Sequence, residues 1–133
     1  MLVQDVNSAQ ITIILASNDD VQAGQLRRDL LASKFVYFFV VLRDRVALVD
    51  VMARHIATNG GKTPIVIVLD HKFAMTDCDI ILAAICGFPN AESIASVVIN
   101  PPMDHETRER LKAAGARLYD GGFAEVAKQF TLQ

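Results

Sequence analysis

Much of what this 133-residue chain is becomes visible from what it lacks. It has no strong excess of either charge: thirteen Lys and Arg face fifteen Asp and Glu, for a formal net charge of −2. A dominant non-specific attraction to nucleic acid or to an anionic membrane is therefore not expected. Cysteine is nearly absent. Cys78 and Cys86, eight residues apart, have no Cys or His companions at metal-ligand spacing, so they read as free thiols within one helix rather than a disulfide or a zinc site. The opening residues "MLVQDVNSAQ" lack a basic stretch followed by an apolar core, and no apolar run reaches membrane-spanning length. A soluble cytoplasmic protein is expected.

A glycine-rich turn is also missing after the first apolar run, which argues against a dinucleotide site. The nearest approach to a phosphate loop is "GGKT" at 60–63. Its helix–loop–strand context and the Ile56 where a first Gly is needed count against that reading. His55, His71 and His105 fall in three separate segments without ligand spacing.

What is present is hydrophobic material in a regular order. Apolar residues make up 52% of the chain, enough for a single well-buried core. Five apolar runs stand out, at 11–16, 35–42, 64–69, 95–99 and 116–119. Most are nearly continuous rather than alternating, as strands covered on both faces are. Helical spacing separates them. Ala23, Leu26 and Leu30 mark the first helix, and Val46, Val49, Met52 and Ile56 the second. Ile80, Ile81, Ala84, Ile85 and Phe88 mark a third, Thr107, Leu111 and Ala114 a fourth, and Phe123, Val126, Ala127 and Phe130 a fifth. Such alternation predicts an α/β domain over 11–133, preceded by a short extension at 1–10, with a parallel sheet covered by helices on both sides. Ligands and chemistry in such sheets collect at the strands' carboxyl ends.

Those ends are Ser17 to Asp20, Arg43 to Asp44, Asp70 to Phe73, Asn100 to Pro101 and Asp120 to Gly122, and acids stand at four of them. "TPIVIVLDHKF" (63–73) is an apolar run stopping on Asp70, whose carboxylate suits a cap, a metal ligand or a nucleophile. "SNDD" (17–20) supports two readings. Asn18 or Asp19 caps the following helix, or Asp19 and Asp20 join Asp70 in an oxygen-rich Mg²⁺ site. Capping is the preferred reading, because otherwise the helix begins at Val21 or Gln22 without a good cap. "RERLK" (108–112) reads as a solvated helix face that also offers Arg108 and Lys112 to a partner.

From Asp70 onward, "DHKFAMTDCDIILAAI" and later "NPPMDHETRERLKAAGARLY" resemble the receiver domain of two-component response regulators, nearest to the stand-alone receivers that accompany bacterial phytochromes. The resemblance spans about residues 11–130 and implies a doubly wound, flavodoxin-like sheet of order 2-1-3-4-5. It places Asp70 on the phosphoacceptor, Asp77 on the loop Asp, Lys72 on the position whose carbonyl helps bind magnesium, Asn100 on the switch Thr or Ser, and Tyr119 on the aromatic switch. Other positions depart from the pattern. The acidic pair aligns with Ser17 and Asn18, or with Asn18 and Asp19; the strand-five Lys is Gly122 and its following Pro is Phe123; the loop Pro is Ala74 and the helix-opening Gly is Cys78.

Phosphorylation of a receiver needs a carboxylate nucleophile, a divalent cation and a cation for the product phosphate. Losing one such electrostatic element commonly costs about 10² to 10³ in rate. The expected function is a degenerate, non-enzymatic receiver, a pseudo-receiver needing no cofactor. It signals by protein contact through Arg108, Lys112, Tyr119 and Phe123, toward a histidine kinase, a downstream protein or a second copy of itself. One alternative is a working receiver phosphorylated on Asp70 by a histidine kinase, with Mg²⁺ on Asp19 or Asp20. Another is a small-molecule module using the cleft of Ser17, Asn18, Asn100 and Gly122.

Overall fold

The computed structural model describes residues 11–32, 37–59, 64–89 and 91–131. The extension at 1–10, the "GGKT" loop and the first two residues of the second apolar run lie outside them, as do the side chains of Tyr37, Asn59, Phe130 and Thr131. The elements alternate as the apolar runs predict: β1 (Ile11–Ala16), α1 (Asp20–Leu31), β2 (Tyr37–Leu42), α2 (Leu48–Asn59), β3 (Ile65–Asp70), a single turn α3 (His71–Ala74), α4 (Asp77–Ile85), β4 (Ile94–Ile99), α5 (His105–Ala113), β5 (Arg117–Tyr119) and α6 (Gly122–Thr131). A 3₁₀ turn at Ala91–Ser93 leads into β4.

All pairings are parallel and the strand order is β2-β1-β3-β4-β5, the doubly wound, flavodoxin-like arrangement expected. All six residues of β3 are buried, which explains the unbroken "IVIVL". Its alternate side chains feed two cores. Ile65, Ile67 and Leu69 pack with Met52 and Ile56 of α2, with Ile81 and Leu82 of α4 and with Leu111 of α5. Val66 and Val68 pack with Leu26 and Leu30 of α1 and with Phe123 and Val126 of α6.

Three sequence expectations change in detail. Val46 is 96% exposed and Leu48 takes the inward place, because the Asp44 carboxylate accepts from the Val46 amide and holds the chain in a turn until α2 begins. In α4 the buried set is Cys78, Ile81, Leu82 and Ile85, while Ile80 and Ala84 face outward. Cys86 caps the carboxyl end of that helix rather than lying inside it. The stretch between β3 and α4, which helical spacing left unassigned, forms a turn of its own. Asp70 caps the single turn α3, which ends at Met75 with φ 49°, and α4 starts two residues later.

Candidate functional site

Strand register assembles the site. Ala16 lies level with Leu69, and Asp70 level with Ile99, so the residues emerging next, Ser17 and Asn100, flank Asp70 on either side. Asp70 is only 3% exposed, and three donors satisfy its carboxylate. Ser17 Oγ donates to Oδ2 at 2.8 Å, while Asn100 Nδ2 (3.0 Å) and the Lys72 amide (3.1 Å) donate to Oδ1. The Lys72 contact is the cap of α3. Ser17, fully buried, in turn accepts from the Asp19 amide at 3.1 Å. A buried polar group is costly unless hydrogen-bonded, and this chain of contacts meets that demand with neutral donors.

Asp19 is the N-cap of α1, its Oδ1 accepting from the Gln22 amide at 3.1 Å. Asp20 forms an exposed ion pair with Arg43 at 2.6 Å. These two carboxylates engage the Gln22 amide and Arg43 rather than Asp70, and among the described residues no three His, Cys, Asp or Glu side chains converge as metal ligands would. Asp77 is turned to Arg45, 3.1 Å away, which also contacts the Met75 sulfur.

Above the buried network lies an open cleft of about 320 Å³ lined by Asn18, Asp19, Gln22, Lys72, Gly122 and Phe123 among others. Gly122 has φ 65°, and a Cβ built on it would stand 3.1 Å from Asn100 Oδ1. Where the receiver pattern has a lysine, the Asn100 carboxamide therefore lies against bare backbone.

Of the four residues expected on an interaction surface, two are inside. Tyr119 is 9% and Phe123 8% exposed, both packed in the core beneath α1 and α6, because their positions on β5 and α6 place them on the sheet-facing side. Arg108 and Lys112 are at the surface and already paired. Arg108 grips Asp120 with two bonds of 2.9 and 3.0 Å and also donates to the Pro102 carbonyl at 3.2 Å. Lys112 lies 3.4 Å from Glu109, and Arg110 pairs with Asp79 at 3.0 Å.

Electrostatics around the site follow from hydrogen bonding at the surface and from burial beneath it. The hydrogen bond from Arg108 holds the Asp120 carboxyl below its ordinary value. Burial, the largest cause, lowers the His71 pKa against the opposing pull of Asp79 and Asp70. Burial also pushes the Cys78 thiol up to about 12, so it is an inert core thiol and not a nucleophile.

The Ser17 contact was the piece that sequence reading missed. Its signal was present in the equal lengths of the first and third apolar runs, 11–16 and 64–69, whose following residues are Ser17 and Asp70. The role of Gly122 had no such signal, since only the backbone path shows what a side chain there would strike.

No family model matches the chain, and no curated protein does. Among solved structures it is similar to a response regulator receiver domain from Rhodospirillum rubrum, with a TM-score of 0.64, 18% identity and 91% of each chain covered. It is also similar to a protein described as a pilus assembly protein (cpaE) from Burkholderia thailandensis E264, with a TM-score of 0.56, 17% identity, and 92% of this chain and 99% of that one covered. At such identities the likeness establishes the fold, that of receiver domains. No helix among the described residues is long and apolar enough to cross a membrane.

Proposed function

We propose that the chain is a signal-transduction module of receiver fold that works as a pseudo-receiver, through protein contacts rather than through metal-dependent phosphorylation of Asp70. One observation carries this reading: both Asp70 oxygens are already bonded, to Ser17, to Asn100 and to the Lys72 amide. These bonds take up three of the roughly four acceptor positions that a carboxylate offers, which leaves little of it for attack on a phosphoryl donor. The developing charge would then meet Gly122 where a cation is needed, and Asp19 and Asp20 are committed to the α1 cap and to Arg43. This donor set does not suit a resident Mg²⁺, which favours several converging oxygens. The partner is a histidine kinase, a downstream signalling protein or a second copy of the chain.

Incubation with a small phosphodonor and Mg²⁺, followed by intact mass measurement, tests the reading. The expected result is an unchanged mass. A single-phosphate gain that disappears in Asp70→Ala would instead establish a working receiver. The cleft of about 320 Å³ supports a second reading, a small-molecule site. A thermal shift with nucleotides, flavins or quinones, lost when Gly122→Val fills the cleft, would favour it over protein contact.

A further inference from the structure

The loop that follows β4 is held in an uncomfortable shape. Asn100 has φ 51°, a left-handed conformation that asparagine tolerates and most residues avoid. It also precedes Pro101, and a residue before proline is pushed toward extended backbone. Strained positions persist only where the surroundings over-determine them. Here two contacts do so. Asn100 Nδ2 is tied to Asp70 at 3.0 Å, and the other end of the carboxamide lies over Gly122, where a Cβ would approach Oδ1 to 3.1 Å.

The same loop reaches the surface. The Pro102 carbonyl accepts from Arg108 Nη1, and that guanidinium holds both oxygens of Asp120, just ahead of α6. A continuous set of polar contacts therefore runs from the buried carboxylate, through Asn100 and the Pro101–Pro102 segment, to the turn between β5 and α6.

We infer that Asn100, seated on Gly122, is a latch on Asp70 that holds the 100–104 loop in its strained shape without any phosphoryl group, and that Arg108 passes the loop's position on to the Asp120 turn. Asn100 and Gly122 are positioning residues and a matched pair. A side chain at 122 crowds the carboxamide and presses it off its seat, and loss of the carboxamide frees the loop to extend. The module's surface around Arg108 and Asp120 is thereby set by an internal hydrogen bond. This deepens the pseudo-receiver reading and rests on it for its meaning, although its test does not involve phosphorylation.

Hydrogen–deuterium exchange of the full chain, without phosphodonor, reads the latch. In Asn100→Gly, exchange at residues 103–108 and 120–125 should rise at least about fivefold, with 65–69 staying within about twofold of the parent. Gly122→Ala should raise exchange at 103–108 in the parent and add nothing in the Asn100→Gly background, as coupled positions do. In an Arg108→Ala background, Asn100→Gly should still loosen 103–108 and leave 120–125 unchanged. Equal effects of Gly122→Ala in both backgrounds would reduce it to local backbone strain and overturn the pairing. Should Gly122→Ala not fold, the Asn100→Gly and Arg108→Ala comparison decides alone: no rise at 103–108 removes the latch, and a rise there without one at 120–125 in the Arg108 parent removes the relay. A phosphorylated parent would sink the pseudo-receiver reading and leave these exchange results standing.

Discussion

Asp70 and Asp120 lie at the carboxyl ends of strands two places apart in one sheet, yet they are satisfied in opposite ways. Asp70 is inside, with a hydroxyl, a carboxamide and a backbone amide as its donors. Asp120 is outside, gripped by the guanidinium of Arg108. Burial accounts for the difference. Bringing a cation in beside Asp70 would require desolvating a second charge, whereas neutral donors need far less dehydration. At the surface water shares the work, and a long cationic side chain loses little by staying there. Depth in the sheet thus selects the kind of partner, and the buried contacts are the ones expected to matter for stability.

The thiols offer the widest test of that contrast. At pH 8 the Cys78 thiol, pushed by burial from its ordinary 9.0 up to about 12, should hold about a thousand-fold less thiolate than in the unfolded chain. In a Cys86→Ser background, alkylation of Cys78 should therefore be slower by that factor or more in the folded protein than in urea. Comparable rates would show that the inside of this face is open to solvent.

Ser17→Ala comes next. It removes the donor to Asp70 Oδ2 and leaves a buried carboxylate oxygen short of a partner, which should cost about 2 kcal/mol in urea unfolding. A loss no larger than that of a surface substitution would break the distinction between the two carboxylates. Asp19→Ala tests an intermediate depth, since it deletes the α1 cap and leaves Ser17 bonded to Asp70. A destabilisation of about 1 kcal/mol is expected, with the intact-mass result of the phosphodonor experiment unchanged.

Asp120→Asn should have the smallest effect, leaving the urea midpoint at pH 7 nearly where it was and moving it less still in high salt. Its pH dependence has a definite sign. The folded carboxyl titrates below its unfolded counterpart, so the pair's contribution is present above the unfolded value, near 3.8, and is lost as pH falls through the folded one. The difference between parent and variant should therefore shrink between pH 5 and pH 2, and growth over that interval would contradict the Arg108 contact.

Part of the candidate site was legible because strand-end chemistry has a fixed address in open α/β sheets. Asp70, Asn100 and Gly122 all stand at such addresses after apolar runs, and Asn18 or Asp19 was the expected cap. The outward placement of Tyr119 and Phe123 failed for a related reason. A resemblance assigns a role to a position, but depth comes from neighbours, and here α1 and α6 close over both rings. The second helix began later than its apolar spacing suggested because one local bond, from the Val46 amide to Asp44, outcompeted another turn of helix.

The order of strands and helices, the two-sided burial of β3 and the position of an acid at its end were determined by the sequence itself, since periodicity and apolar continuity are local properties of the chain. Which groups meet that acid was decided only in three dimensions. Ser17 and Asn100 are 53 and 30 residues from Asp70, and parallel register brings the first level with it and the second one residue beyond. The seat of Asn100 on Gly122 depends likewise on a close backbone approach that no spacing encodes. Hydrogen bonds act over about 3 Å, so contacts between distant residues exist only once the sheet has set their heights and the helices have closed off water.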